Sequence, residues 1–159
     1  VFSANKIDGV IHFAGLKAVG ESISKPAEYY FNNAVSTMVL AKVCLEYGVK
    51  RFVFSSSATV YGENEVAFVE TMELLPATSP YGESKVMSEK FLSDMAEVRP
   101  DWSVALLCYF NPVGAHVSWL NGEMATGIPN NLMPYIFRVA RGELDKLQVF
   151  GDDYLTICF

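Results

Sequence analysis

No apolar run in the sequence approaches the ~20 residues needed to cross a bilayer as a helix, and no signal-peptide pattern opens it. Cytoplasmic residence is the expectation. Cysteine is scarce. Cys44, Cys108 and Cys158 are odd in number, far apart and without a CxxC pair, so isolated thiols in a reducing compartment are expected. The two histidines, His12 and His116, have no partner at metal-ligand spacing, and no metal site is expected. Positive charge is also short: 12 Lys and Arg against 18 Asp and Glu leave a net charge of -6, with no basic cluster. Nucleic acid and anionic membranes are therefore not expected partners, whereas a small anionic ligand needs only a few local donors. Repeats and low-complexity segments are absent.

What is present is the makings of one core. Hydrophobic residues are 51% of the chain and charged residues 19%, a globular composition whose length suits one domain or a piece of a larger one. The chain opens on Val1 rather than Met and closes on "YLTICF", an apolar stretch with nothing after it to cover it. Both ends suit a fragment.

"GVIHFAG" (9–15) is a short apolar run ended by Gly, the pattern of a buried strand. After Pro26 the apolar positions Ala27, Tyr30, Phe31, Ala34, Met38, Ala41 and Leu45 recur every three or four residues. The spacing predicts an amphipathic helix with Pro in its first turn and Gly48 as its stop. "KRFVFSSS" (50–57) reads as a second strand and 62–78 as a loop. Ser79 is placed to cap a helix begun by Pro80, with Met87, Phe91 and Met95 as its core-facing row. "SVALLCYFN" (103–111) is a third strand, followed by a Gly-rich connection, a helix over roughly 131–142 and a short strand near 148–150. Strands apolar on both faces that alternate with helices predict a doubly wound parallel sheet, the α/β class. Ligands in such sheets sit outside the carboxyl ends of the strands. The polar motifs "AGLK", "SSSATVYG" and "YFNPVGAH" follow the three strands and fall on that one edge.

"SPYGESK" (79–85) puts Tyr81 and Lys85 one helical turn apart, so their side chains share a face. A free phenol, with a pKa of about 10, is a poor base at neutral pH. A nearby ammonium stabilises the phenolate and lowers that value, which lets a phenol take a proton from a substrate hydroxyl. Ser57, at the end of the neighbouring strand, is placed to hold that hydroxyl. A Y-x-x-x-K pair alone is a weak signal, common on solvated helix faces; here it opens a helix beside a polar strand end.

With "HFAGLKAVGES" (12–22), "EYYFNN" (28–33), "FSSSATVYG" (54–62), "SPYGESK", "YFNPVGAH" (109–116), "GIPNNLMPYI" (127–136) and "VFGDDY" (149–154), the chain resembles the extended short-chain dehydrogenase/reductase family, and within it the nucleotide-sugar epimerases. The stretches span nearly the whole chain in family order. The resemblance implies a Rossmann-like domain, incomplete here: 1–159 as a partial NAD-binding domain, with a substrate-binding region beginning at about 111. It implies an isomerase of galactose metabolism that interconverts UDP-glucose and UDP-galactose by transient oxidation at sugar C4, with NAD bound but not consumed. Tyr81 would be the acid/base, Lys85 would hold the nicotinamide ribose and Ser57 would bind the 4-oxygen. Phe13, Ala14, Gly15, Lys17, Asn32, Ser57, Tyr81, Lys85 and Phe110 fall on family positions near the cofactor. Lys17, Ser57, Tyr81, Asn111, Asn130, Asn131, Leu132, Gln148 and Phe150 fall along the UDP-hexose. A homodimer through the helices near 26–47 and 80–97 is also implied.

Each position also has an ordinary role. Phe13 and Phe110 suit core packing, and Lys17 suits a solvated surface. Asn32 and Asn33 interrupt an apolar helical pattern, where a local side-chain hydrogen bond would account for one of them. Asn130 or Asn131 suits a helix cap, and Gln148 is an unremarkable strand residue. The chain also departs from the family. The Gly-rich phosphate loop is missing, as is the family's C-terminal segment. Cys108 replaces a usual arginine, and "VSWLNGE" and "YLTICF" are atypical. Little or no turnover is expected of these 159 residues alone. A nucleotide-sugar 4,6-dehydratase is disfavoured because Ala58 and Thr59 stand where its extra acid and base would be. A non-catalytic dinucleotide-binding remnant would have no use for the Ser57, Tyr81 and Lys85 set.

Overall fold

The structure, a computed structural model, describes residues 1–64, 66–118, 120–122, 129 and 131–149. Two compact units divide the chain, Val1–Phe110 and Asn111–Phe159. In the first, β1 (Val10–His12), β2 (Arg51–Ser57) and β3 (Ser103–Tyr109) form a parallel sheet in the order β1-β2-β3. The three expected strands are all present, each slightly shorter than its apolar run.

Register explains the core. Phe52 pairs with Val10 and Val104, and Phe54 with His12 and Leu106, so these side chains share one face. On that face Phe52 and Phe54 pack with Ala41 and Cys44 of α3 (Ser36–Glu46), Leu92 of α4 (Pro80–Val98) and Trp102. Trp102 donates its Nε1–H to the Val49 carbonyl at 3.1 Å. The other face is apolar, as the sequence indicates, but not buried: Ile11 is 66% exposed and Leu107 39%.

The segment after Pro26 is helical to Glu46, but not as one regular helix. It runs as α2 (Pro26–Tyr29), a π-helical turn (Tyr30–Val35) and α3. A π turn holds an extra residue, which rotates the phase of everything after it. Its effect here is to turn Asn33 and Ala34 inward together. Gly48, with φ of 71°, supplies the left-handed stop. A further short helix, α1 (Val19–Ser24), was not expected from the pattern.

At the start of α4, Ser79 Oγ accepts from Gly82 N at 3.1 Å and Pro80 occupies the first turn, the expected cap. The expected apolar row is displaced. Met87 is 41% exposed, and the residues facing the sheet include Ser84, Lys85, Ser88 and Leu92, with Phe91 and Met95 at the margin of the core. Polar residues take the inward face because α4 lies over the polar ends of the strands. Residues 62–64 and 66–78 hold no helix or strand.

The second unit contains α5 (Leu132–Ala140), inside the expected 131–142 span, and Glu143 pairs with Arg138 at 3.6 Å and Arg141 at 2.9 Å. The strand expected near 148–150 is not formed at 148–149, and Phe150 lies outside the described residues.

His12 is buried between the rings of Phe52 and Phe54, with centroids at 6.0 and 5.9 Å. Thr37 Oγ1 donates its one proton to the Asn33 carbonyl at 2.6 Å. The 3.0 Å contact from His12 Nε2 to Thr37 Oγ1 therefore has the imidazole as donor. Burial, then the positive charge of Lys85, lowers the His12 pKa below its ordinary 6.5. Because the folded value is the lower one, the unfolded chain binds the proton first as pH falls. The stabilisation is full above about 6.5 and drains as pH drops through the depressed folded value. His12→Gln keeps a donor and removes the titration. Urea unfolding between pH 7.5 and 5 should show the parent losing stability on acidification more steeply than the variant; equal slopes would refute the assignment.

Candidate active site

The site is built at the carboxyl end of β2, where α4 begins. Lys85 is 6% exposed, and its Nζ donates to the Ser55 carbonyl at 2.8 Å. The amine lies 4.8 Å from the Phe54 ring centroid and 5.8 Å from that of Tyr81. Burial pushes the Lys85 pKa down to about 8, with Glu89 pulling the other way. The lysine and tyrosine are thus not turned apart: α4 presents both to the strand end.

Tyr81 is 8% exposed and stands edge-on to Tyr29 with ring centroids 6.4 Å apart. Tyr29 is itself fixed, donating its hydroxyl to Glu21 Oε2 at 2.9 Å and accepting from Ala18 N at 3.1 Å. Ser57 ends β2 and caps the 3-10 turn Ala58–Tyr61, its Oγ accepting from Thr59 N at 3.3 Å and Thr59 Oγ1 at 3.0 Å. Both contacts use oxygen lone pairs, which leaves the Ser57 hydroxyl proton free to donate. Helix and turn touch closely here: a Cβ on Gly82 would lie 3.2 Å from the Thr59 carbonyl oxygen. A phenol, a buried ammonium and a hydroxyl with a free proton therefore lie around one strand end.

Asn33 ties the loop after β1 to this cluster. Its Oδ1 accepts from Leu16 N at 2.8 Å, and its Nδ2 donates to Leu16 O at 3.0 Å and to Ser84 Oγ at 3.1 Å. Ser84 in turn donates to the Tyr81 carbonyl at 2.7 Å. Asn32, the expected cofactor contact, is exposed and spends its amide locally on the Glu28 carbonyl at 2.9 Å. So one asparagine of the pair has the local bond and the other reaches across the fold. The adjacent-Asn signal was visible; which of the two turns inward depends on the π turn.

Phe13, Ala14, Gly15 and Lys17 are all exposed on the loop after β1. Phe13 is 61% exposed and Phe110 60%, so core packing is not the role of either. Phe13 lies against Tyr109 at 6.2 Å, and Phe110 against Phe68 at 5.8 Å, with Phe68 stacked on Tyr61 at 4.8 Å. Gly15 makes room: a Cβ there would sit 2.9 Å from Asn33 Oδ1 and 4.0 Å from Lys85 Nζ.

The remaining expected contacts belong to the second unit. Asn111 and Gln148 are exposed, and Leu132, which opens α5, is 60% exposed. Asn131 holds the N-cap position of α5, but its side chain makes no capping hydrogen bond. Asn130 and Phe150 lie outside the described residues.

The family model described as NAD dependent epimerase/dehydratase family matches residues 1–154. A UDP-glucose 4-epimerase of Neisseria meningitidis serogroup C is 57% identical over 157 residues, covering 98% of this chain and 46% of the relative. One from Caenorhabditis elegans is 54% identical over 159 residues, covering 99% and 46%. Among solved structures, UDP-glucose 4-epimerase from Bifidobacterium longum in complex with NAD+ and UDP superposes with a TM-score of 0.89 at 56% identity, over 98% of this chain and 47% of that one. The chain thus spans about half the length of the curated relatives it matches, and its parallel sheet is part of a Rossmann-like fold. By the match across nearly its whole length, the chain belongs to the NAD dependent epimerase/dehydratase family.

Proposed function

We propose that this chain is the acid/base half of an enzyme that interconverts UDP-glucose and UDP-galactose with tightly bound NAD. The observation that carries the reading is the buried Lys85 amine, held against the Ser55 carbonyl and facing Tyr81 at the carboxyl end of the sheet. The names of the relatives, and the NAD+ and UDP in the Bifidobacterium longum structure, support it.

The residues fit such a cofactor. Gly15 keeps the space beside Lys85 and Asn33 clear of a side chain, and the exposed Phe13, Ala14 and Phe110 offer apolar surface at the same rim. When bound, NAD supplies reversible hydride acceptance at sugar C4. The chain's residues handle the proton and the alignment. Tyr81 would take the proton of the 4-hydroxyl and give it back to the 4-oxygen once the sugar has turned. Ser57 donates its free hydroxyl proton to the 4-oxygen. Lys85 holds the nicotinamide ribose and sets its amine beside the Tyr81 ring. Lys17 and Asn32 are assigned to the cofactor side. Asn111, Asn130, Asn131, Leu132, Gln148 and Phe150, with Lys17, Ser57 and Tyr81, are assigned to the UDP-hexose, and the substrate-binding region is taken to begin at about 111.

A 4,6-dehydratase fits less well, since Thr59 is committed to Ser57 and Ala58 carries no acid or base. We also infer that in the longer protein a second copy binds through the helices near 26–47 and 80–97, where Val39 is 56% exposed and Met87 41%. Val39→Asp should then convert a dimer to a monomer in sedimentation; a parent already monomeric at high concentration would contradict this.

In the longer protein that contains this chain, Tyr81→Phe should cut turnover of UDP-galactose by about 10²–10⁴-fold while NAD content is kept. Unchanged turnover would remove Tyr81 as the acid/base, and a parent that retains NAD without turning over UDP-galactose would favour a dinucleotide-binding protein. The 159 residues alone should show little or no turnover. Gly15→Ala should push Asn33 off Leu16, costing about 1–3 kcal/mol in urea unfolding and weakening NAD retention. Retention equal to the parent's would remove Gly15 from the cofactor side.

A further inference from the structure

Tyr29 is a fully buried phenol outside the set assigned to the reaction. It is the last residue of α2, at the entry to the π turn. Its hydroxyl is bound twice to the start of α1, donating to Glu21 Oε2 at 2.9 Å and accepting from Ala18 N at 3.1 Å. Ala18 is the N-cap of α1 and closes the loop after β1, which carries Phe13, Ala14, Gly15 and Lys17. Glu21 in turn accepts from Lys25 Nζ at 2.8 Å, one helical turn further on.

The ring of Tyr29 makes a second contact. It meets the ring of Tyr81, from the first turn of α4, with centroids 6.4 Å apart and planes at 89°. Edge-to-face is a preferred arrangement of two aromatic rings, because the positive rim of one meets the negative face of the other. A phenol that has to meet a substrate cannot be oriented by its own hydroxyl; its ring has to be fixed by what packs against it. Against the Tyr81 ring lie the Lys85 amine, 5.8 Å from the centroid, and Tyr29. Lys85 shares α4 with Tyr81 and moves with it. Tyr29 is therefore the contact that refers the phenol to a different part of the site.

We propose that Tyr29 is a positioning residue for Tyr81. Anchored by its hydroxyl to the start of α1 and packed edge-to-face with the Tyr81 ring, it sets the tilt of that phenol relative to the loop after β1. Glu21 takes part as the acceptor that keeps Tyr29 in place. The role rests on the reading of Tyr81 as the acid/base, and adds to it a fixed relation between the proton-transferring group and the cofactor-side loop. Misplacing a reacting group by about 1 Å can cost about 10²-fold in rate, so the tilt of the ring bears on the chemical step.

The test is made in the longer protein that contains this chain. Tyr29→Leu removes the ring and should lower kcat for UDP-galactose by about 10–100-fold while KM stays within about twofold. Tyr29→Phe keeps the ring and should recover most of that, leaving a loss of about threefold. Glu21→Ala, at a surface carboxylate, serves where Tyr29→Leu does not fold. It removes the same hydroxyl bond, so it should match Tyr29→Phe, and the two together should cost no more than either. NMR of isotope-labelled tyrosine reads the contact without turnover. The Tyr81 ring resonances, identified by their loss in Tyr81→Phe, should move in Tyr29→Leu, and by less in Tyr29→Phe and Glu21→Ala. The parent's kcat in folded Tyr29→Leu, or otherwise in both Tyr29→Phe and Glu21→Ala, overturns the proposal. So do Tyr81 resonances that none of these variants moves. An inactive Tyr81→Phe beside fully active Tyr29 variants would sink this inference alone. A parent without turnover whose Tyr81 resonances still move in Tyr29→Leu would sink the enzymatic reading and leave the Tyr29 contact standing.

Discussion

Everything at the rim of this sheet is arranged around an ammonium taken out of water. Burying an isolated charge costs several kcal/mol even after the protein relaxes. Lys85 is nevertheless only 6% exposed. What stands in for its hydration shell is a carbonyl at 2.8 Å and two aromatic faces, those of Phe54 and Tyr81. The carbonyl is free to accept because Ser55 lies near the end of its strand. The rings are available because α4 crosses the strand ends with its first turns rather than its middle. The downward shift of the lysine shows that this shell is an incomplete substitute for water. An amine so held is charged, close to losing its charge, and sensitive to its neighbours.

That sensitivity constrains the surroundings. His12 packs close by, on the neighbouring strand, and a second positive charge there would compete with the first. Its neutral imidazole is instead used as a donor to Thr37, whose hydroxyl passes the bond to the Asn33 carbonyl. The side chain of Asn33 then fixes Leu16 on one side and Ser84 on the other. Buried polar groups must be satisfied, and this chain of bonds satisfies His12, Thr37, Asn33 and Ser84 while joining β1, the π turn and α4. The π turn is the local irregularity that makes the network possible, since a regular helix would bring a different residue to face Leu16.

How far the sequence reveals this depends on whether a feature is local. Strands were legible as apolar runs, and the start of α4 from Ser79 and Pro80, because those signals act within a few residues. The π turn left no comparable mark, so a single regular helix was expected, and which of Asn32 and Asn33 turns inward was not legible. Met87 was assigned to the core because α4 was assumed to face an apolar surface, whereas it faces strand ends carrying Ser55, Ser56 and Ser57. Phe13 and Phe110 looked equally suited to core and site; only exposure separates the two.

On the proposed reading, the same distinction explains how acid/base residues can be set in a chain about half the length of its relatives. Ser57, Tyr81 and Lys85 come from one strand and the first turns of the next helix, so β2, its 3-10 turn and α4 are enough to set their geometry. Proton transfer needs only this short range of placement, a hydroxyl and a phenol fixed to within hydrogen-bond reach. Holding a dinucleotide and a nucleotide sugar is a different demand, since such ligands are long and are contacted by loops from several strand ends. Acid/base geometry is therefore a property of one strand-helix unit, and ligand affinity a property of the whole rim. Substitutions inside that unit should act on the rate of the chemical step, and those in the loops around it on what is bound.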